Sequence, residues 1–235
     1  MGSGALLAPR GRTARILLVA DLHHTLPQLD WVARAAPSSD LVVLAGDQLD
    51  ICSTVSLDAQ SVVVLRYLAQ LQAAGRVAIG AGNHDLTGPD AHGEQAAPWL
   101  AEARAVGVPT DGDSLLIGDT LVTICPWWDG PIGRAVLEAQ FAADALRRPK
   151  RWIWVYHRPP LGSPTCWTGR RDCGDAGLNA WMAEHKPESS SPATSTNRRP
   201  SARDRAPIAS ARPGSSTRAG GSARCRVAGR ARPAV

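Results

Sequence analysis

The sequence predicts an α/β fold built on a parallel sheet, and three observations carry that prediction. Apolar runs at residues 14–20, 40–45 and 76–81 have the length of buried strands. Segments with apolar residues at helical spacing separate them, at residues 26–36 and 56–74. Each run then ends in polar residues: Asp21-Leu22-His23-His24 after the first, Gly46-Asp47-Gln48-Leu49-Asp50 after the second, and Gly82-Asn83-His84-Asp85 after the third. A βαβαβ order implies a parallel sheet with right-handed crossovers, and open α/β sheets keep their chemistry at the strand mouths.

In order along the chain, residues 26–36 form the first helix, with Leu29, Trp31 and Val32 on its apolar side. The longer helix at 56–74 carries Leu57, Val64, Leu65, Leu68 and Leu71, and Gly75 stands just past its end. Residues 88–97 are polar and read as a loop, followed by a helix at 98–105 with Trp99 and Leu100. Two runs, 114–117 and 120–125, flank Gly118-Asp119 and read as a hairpin. The aromatic loop Pro126-Trp127-Trp128-Asp129-Gly130-Pro131 precedes a helix at 134–146 with Leu137, Phe141 and Ala145 on one side. A strand at 151–156 ends at His157-Arg158-Pro159-Pro160; Trp152 and Trp154 share one of its faces, Ile153 and Val155 the other. Asp175 caps a last helix through Glu184, with Leu178, Trp181 and Met182 as its apolar set. Periodicity stops after Pro187.

Charge divides the chain in two. Of its 26 basic and 21 acidic residues, ten arginines and Asp204 lie from residue 189 onward, so residues 1–188 carry sixteen bases against twenty acids, a net of −4. All eight Trp, both Tyr, the Phe and all six His precede residue 189. A segment of Arg, Ser, Ala, Pro and Gly buries too little apolar surface to offset the entropy of ordering it, so 189–235 reads as a disordered tail. The resulting organisation is a flexible start at 1–13, a domain at 14–188 and that tail. No apolar run approaches the roughly 18 residues of a membrane span, and residues 1–15 have no apolar stretch of signal-peptide length, so the expected location is the cytoplasm. Five cysteines form no short metal-binding pair; Cys166 and Cys173 could pair across a loop, although thiols stay reduced in that compartment.

The residues gathered at the strand ends mix hard oxygen with imidazole nitrogen. Asp21, His23, Asp47, Asn83 and His157 form a donor set that suits Mn, Fe or Zn better than calcium, which prefers oxygen alone. On an extended segment Asp21 and His23 point to the same side and can grip one ion. A shared carboxylate such as Asp47 can bridge two ions about 3.5 to 4 Å apart, an arrangement that clamps a phosphoryl group and activates a water. Singly, each piece also fits a capped turn or a satisfied histidine; together and in order they point to a metal centre.

These motifs resemble the calcineurin-like metallophosphoesterases. Asp21-Leu22-His23, Gly46-Asp47-Gln48-Leu49-Asp50, Gly82-Asn83-His84-Asp85 and the His157-Arg158-Pro159-Pro160 variant carry the resemblance, over about residues 14–188. It implies a four-layer β-sandwich of two sheets flanked by helices. It implies two divalent or trivalent ions, Mn, Fe or Zn, with Asp21 and His23 on the first, Asp47 on both, and Asn83 and His157 on the second. It implies hydrolysis of a phosphate ester, a small molecule or nucleotide, by a bridging hydroxide. His84 would stand beside the scissile phosphate, and Asp85 would orient its imidazole by accepting the other N–H. Asp50 would support a ligand rather than bind metal, and His24 could touch substrate.

The sequence departs from the family at its end. Family members carry a further strand ending in Gly-His-x-His, whose histidines complete both ions, whereas no histidine follows His185 here. The C-terminal strands are therefore expected to be missing, metal binding weak and turnover slow. Two accounts of the tail compete: a natural extension, or a shifted reading frame, since these five residue types are what GC-rich codons yield out of register. The abrupt loss of periodicity favours the second. A rival function is a non-catalytic relative that binds nucleic acid or a protein through the basic tail. Arginines attract phosphate, but the tail has no aromatic residue for base stacking.

Overall fold

The computed structural model describes residues 14–167 and 170–187 in full, and the backbone of residues 189–192. The start at 1–13, Cys225 and the tail from residue 193 onward lie outside the described residues, and with them the expected tail disorder and tail-mediated binding.

Strand β1 (Ile16–Val19), helix α1 (Leu26–Ala35), strand β2 (Leu41–Ala45), helix α2 (Leu57–Ala74) and strand β3 (Val77–Gly80) follow one another as expected. The three strands form a parallel sheet with β2 in the middle, Leu17 opposite Val42 and Val43 opposite Ala78. All five residues of β2 are buried, because helices cover one face and a second sheet the other. Ser56 caps α2 by accepting the Ala59 N–H at 3.3 Å. Leu29 and Val32, one turn apart on α1, are buried, but Trp31 is 52% exposed, which corrects its expected place on the apolar side. Residues two apart on a helix do not share a face.

Residues 88–97, expected as a loop, contain a small hairpin of β4 (Gly88–Pro89) and β5 (Gln95–Ala96). The Asp90 carboxylate closes its turn by accepting the N–H groups of His92 and Glu94, a side-chain device that leaves no periodic pattern in the sequence. Helix α3 (Leu100–Ala105) is followed by β6 (Ser114–Ile117) and β7 (Thr120–Ile124), which form the expected antiparallel pair. Helix α4 (Pro131–Leu146) leads to β8 (Arg151–Tyr156), parallel to β7, and α5 (Ala176–His185) starts at Asp175, whose Oδ1 accepts the N–H groups of Gly177 and Leu178.

The described backbone continues past the expected end of the domain. The backbone of Ser189–Pro192 forms β9, parallel to β8, with Ser189 opposite Ile153. Strand order was expected to end before Ser189, but ladder pairing uses main-chain groups, and α5 brings the chain back to the sheet edge whatever side chains follow.

The layers are helix, sheet, sheet, helix. Between the sheets, Leu41, Val43 and Ala78 meet Ile117, Val122, Ile124 and Val155. Outside the first sheet, Val42, Leu44 and Ile79 pack on α1, α2 and α3. Outside the second, Trp152, Trp154 and Tyr156 pack on Leu137, Phe141, Leu178 and Trp181. Phe141 stacks on Trp154 with centroids 3.9 Å apart. Cys166 and Cys173 remain thiols. Among the described residues no helix is long and apolar enough to cross a membrane.

Candidate metal centre

Parallel strands end at one edge of a sheet, so the turns after β1, β2 and β3 converge, and the end of β8 in the second sheet meets them there. The first turn is zipped to the second by main-chain bonds: Asp21 N–H to Gly46 O at 3.1 Å, His23 N–H to Asp47 O at 2.9 Å, and His24 N–H to Gln48 O at 2.7 Å. Four polar residues there adopt left-handed backbone conformations, Asp21 (φ 54°), His23 (43°), His24 (52°) and Asp47 (54°). Each such residue costs on the order of 1–2 kcal/mol, and strain of this kind collects at functional sites. The expected extended segment is thus a turn, and Asp21 and His23 are aimed by backbone sign rather than by strand alternation.

Two glycines permit the approach. Gly46 has φ +93°, and a Cβ there would fall 2.3 Å from His157 Nδ1. At Gly82 a Cβ would fall 2.2 Å from Asp47 Oδ1. Asp85, completely buried, ties both segments together: Oδ1 accepts the N–H groups of Gln48 (2.9 Å) and Leu49 (3.0 Å), and Oδ2 accepts that of Gly82 (2.8 Å). Burial pushes its carboxyl up to about 6 against the pull of these amides.

Asp47 is the hub. Its Oδ2 lies 3.3 Å from His157 Nε2, 3.9 Å from His23 Nε2 and 4.0 Å from His84 Nε2, while Oδ1 accepts the His84 main-chain N–H at 2.9 Å. His157 Nδ1 donates to the Ala45 carbonyl at 3.0 Å, which leaves Nε2 facing Asp47. Burial by itself raises the Asp47 carboxyl and disfavours a charged His157. Their hydrogen bond and mutual attraction outweigh it, holding Asp47 below and His157 above their ordinary values. Asp21 is raised, chiefly by burial.

This donor set fits a cation. Bonds of about 2.0–2.2 Å to nitrogen and oxygen allow two ligand atoms on one ion to stand up to about 4 Å apart, and the three Asp47–imidazole separations fall inside that limit. Asp21 Oδ2 is buried without a hydrogen-bond partner. Asp21, Asp47 and His157 offer ligand atoms within 4.8 Å of one another, as do His23, Asp50 and His84. All five expected ligands, with His84, line one cleft of about 540 Å³, and the exposed Asn83 is among them.

A profile of the calcineurin-like phosphoesterases matches residues 14–185. The chain belongs to that family. Among solved structures, this phosphoesterase is similar to TT1561 of Thermus thermophilus, with 17% identity and a TM-score of 0.54 over 76% of this chain and 80% of that one. It is also similar to purple acid phosphatase PPD1 from yellow lupin (Lupinus luteus) seeds, with 13% identity and a TM-score of 0.50 over 75% of this chain and 37% of that one. At such identities the likeness concerns the fold. A search of curated proteins returns no match. Membership of the family implies metal-dependent hydrolysis of phosphate esters.

Two expected contacts are corrected. Asp85 does not orient the His84 imidazole: both its oxygens are engaged by main-chain N–H groups, and His84 Nδ1 is buried without a hydrogen-bond partner. The carboxylates beside that imidazole are Asp47 and Asp50. Asp50 is fixed from α2, where buried Gln60 accepts its N–H at 2.7 Å and donates to its carbonyl at 3.0 Å. His24 does not line the cleft, and its Nε2 is a buried atom without a hydrogen-bond partner.

Asp111 was missed by sequence reasoning, since it sits outside every motif. Its Oδ1 accepts the Ala81 N–H at 2.8 Å and so steadies the backbone just before Gly82. Burial pushes its carboxyl up to about 7, with Asp85 and Asp113 adding and the Ala81 amide and Arg104 opposing. A carboxyl raised on folding stabilises most below its unfolded value near 4 and loses that contribution as pH rises toward 7. Asp111→Asn keeps an acceptor for Ala81 without the titration. Relative to the parent, the variant is therefore expected to gain stability between pH 4 and pH 8, read from denaturant midpoints at each. An unchanged difference at the two pH values would contradict the assignment.

Proposed function

We propose that the chain hydrolyses phosphate esters at a dinuclear centre in which Asp47 is shared between two cation positions. Asp21, His23, Asn83 and His157 complete those positions. The observation that carries this is the placement of Asp47 Oδ2 within 3.9 Å of the Nε2 atoms of His157 and His23, in a cleft lined by every one of these residues. Bound ions of the Mn, Fe or Zn type would supply Lewis acidity toward the phosphoryl oxygens and acidify a water for the attack.

The protein's own part is orientation and proton handling. His84, at the mouth and 4.0 Å from Asp47, is in position to donate a proton or hydrogen bond to the leaving oxygen. Asp50, within reach of both His23 and His84, takes the supporting place expected of Asp85. Asp85 holds the two loops so that Asp47 meets the histidines in a fixed geometry. With no histidine after His185, the cations keep fewer protein ligands than the family pattern provides, and we expect weak affinity and slow turnover.

Stripping the purified chain with a chelator and restoring Mn2+ or Zn2+ tests the proposal. Hydrolysis of a chromogenic phosphate ester should vanish on stripping and return with the metal. No hydrolysis with any metal supplied, or hydrolysis indifferent to chelation, would refute it.

A further inference from the structure

Arg158 follows His157 in the chain and lines the same cleft. It is half-buried, and its guanidinium carbon lies 4.5 Å from the centroid of the Trp127 ring. That indole in turn lies 5.9 Å from the His157 ring, so its position is referred to the metal site. Elsewhere arginines pair with carboxylates, Arg104 with Asp113 and Arg147 with Asp144. Among the described residues Arg158 makes no such pair; Trp127 is its platform.

A guanidinium centred 4.5 Å over an indole gains a cation–π contact and still has its N–H donors to offer. Those donors are charge-assisted and suit an oxygen of an incoming anion. A cation fixed at the mouth of a cleft without a carboxylate of its own is poised for an incoming anion. In a phosphoesterase that anion is the phosphoryl group. A diester has two non-bridging oxygens, and cations at the two positions would engage both. A monoester has three and carries a second negative charge, so an oxygen remains for a further donor.

We propose that Arg158, laid on Trp127, receives the free oxygen of a terminal phosphate and biases this site toward phosphomonoesters over diesters. The inference rests on the phosphoesterase reading and adds the class of ester. Arg158 is here a specificity-determining residue that touches substrate, and Trp127 is the residue that positions it.

The test compares the full chain with Arg158→Gln and Arg158→Lys on p-nitrophenyl phosphate and on bis(p-nitrophenyl) phosphate, with the same metal. Arg158→Gln should lower kcat/KM for the monoester by about 30-fold, the size of a lost charge-assisted pair, and for the diester by less than about 5-fold. Arg158→Lys, with charge but no fork, should fall between, and Trp127→Leu should show the same selective loss more weakly. Equal losses on the two esters, or an intact monoester rate in Arg158→Gln, would overturn the proposal. Binding of inorganic phosphate to the Mn2+-loaded chain by calorimetry is the second arm. Arg158→Gln should weaken it about tenfold or more at an unchanged unfolding midpoint. If the parent chain hydrolyses neither ester, the phosphoesterase reading fails, and the phosphate affinity still decides Arg158: equal affinity in parent and variant overturns it.

Discussion

Asp47→Asn is expected to lower kcat/KM for metal-dependent hydrolysis by about 1,000-fold or more, a loss of about 4 kcal/mol in transition-state stabilisation. The substitution keeps the shape and retains an oxygen to accept the His84 main-chain N–H, so the turn at Asn83–Asp85 should persist. What it removes is the negative charge among three imidazoles, at 3.3, 3.9 and 4.0 Å. An amide oxygen is a poor bridge between two cations, and an amide nitrogen facing them is repelled. Metal content per chain should fall in parallel, measured on purified protein by elemental analysis, with the unfolding midpoint as the control for folding. Activity within tenfold of the parent would remove Asp47 from the centre.

Asp85→Ala is expected to cost about 3–5 kcal/mol of stability, among the largest effects of any single change in this domain. Three main-chain N–H groups, from Gln48, Leu49 and Gly82, converge on its carboxylate in a fully buried place. Each orphaned buried donor costs roughly 1–3 kcal/mol, less whatever a water entering the space recovers. Asp85→Asn should cost about 2 kcal/mol, since one oxygen still accepts while the new NH2 opposes a donor. Denaturant titration measures both. In Asp85→Ala the loop bearing Asp47 also loses its tether, so metal affinity should drop although Asp85 touches no cation position. A change below about 1 kcal/mol would mean that the loops hold without it.

Much of the candidate site was legible along the chain because its polar residues follow buried strands. Apolar runs of four or five residues are a local pattern, and the residue after each run must sit at the sheet edge. Asp21, Asp47, Asn83 and His157 could be placed there before any coordinates. The partners of each donor were not legible. Asp85 adjoins His84 in sequence, yet in the turn Asn83–Asp85 its side chain runs inward to the amides of the neighbouring loop, while Asp50 comes up beside the imidazole from a loop fixed by Gln60. Neighbours in a tight turn diverge, and sequence distance does not report which way they go. Trp31 and the hairpin at 88–97 were misplaced for similar reasons, one a face of a helix and the other a turn closed by a single carboxylate.

By itself the sequence determined the strand–helix order and the residue types delivered to the cleft, because burial imposes a periodicity that can be read locally; the two-sheet sandwich was implied only by the family resemblance of the motifs. The tertiary structure alone decided that Asp21, His23 and Asp47 sit in left-handed turns and that Asp85 braces rather than orients. It also decided that Arg158 lies on Trp127 and that Ser189–Pro192 extends the second sheet. Those outcomes depend on hydrogen bonds and ring contacts between segments tens of residues apart, and on main-chain pairing that leaves no mark on side-chain pattern.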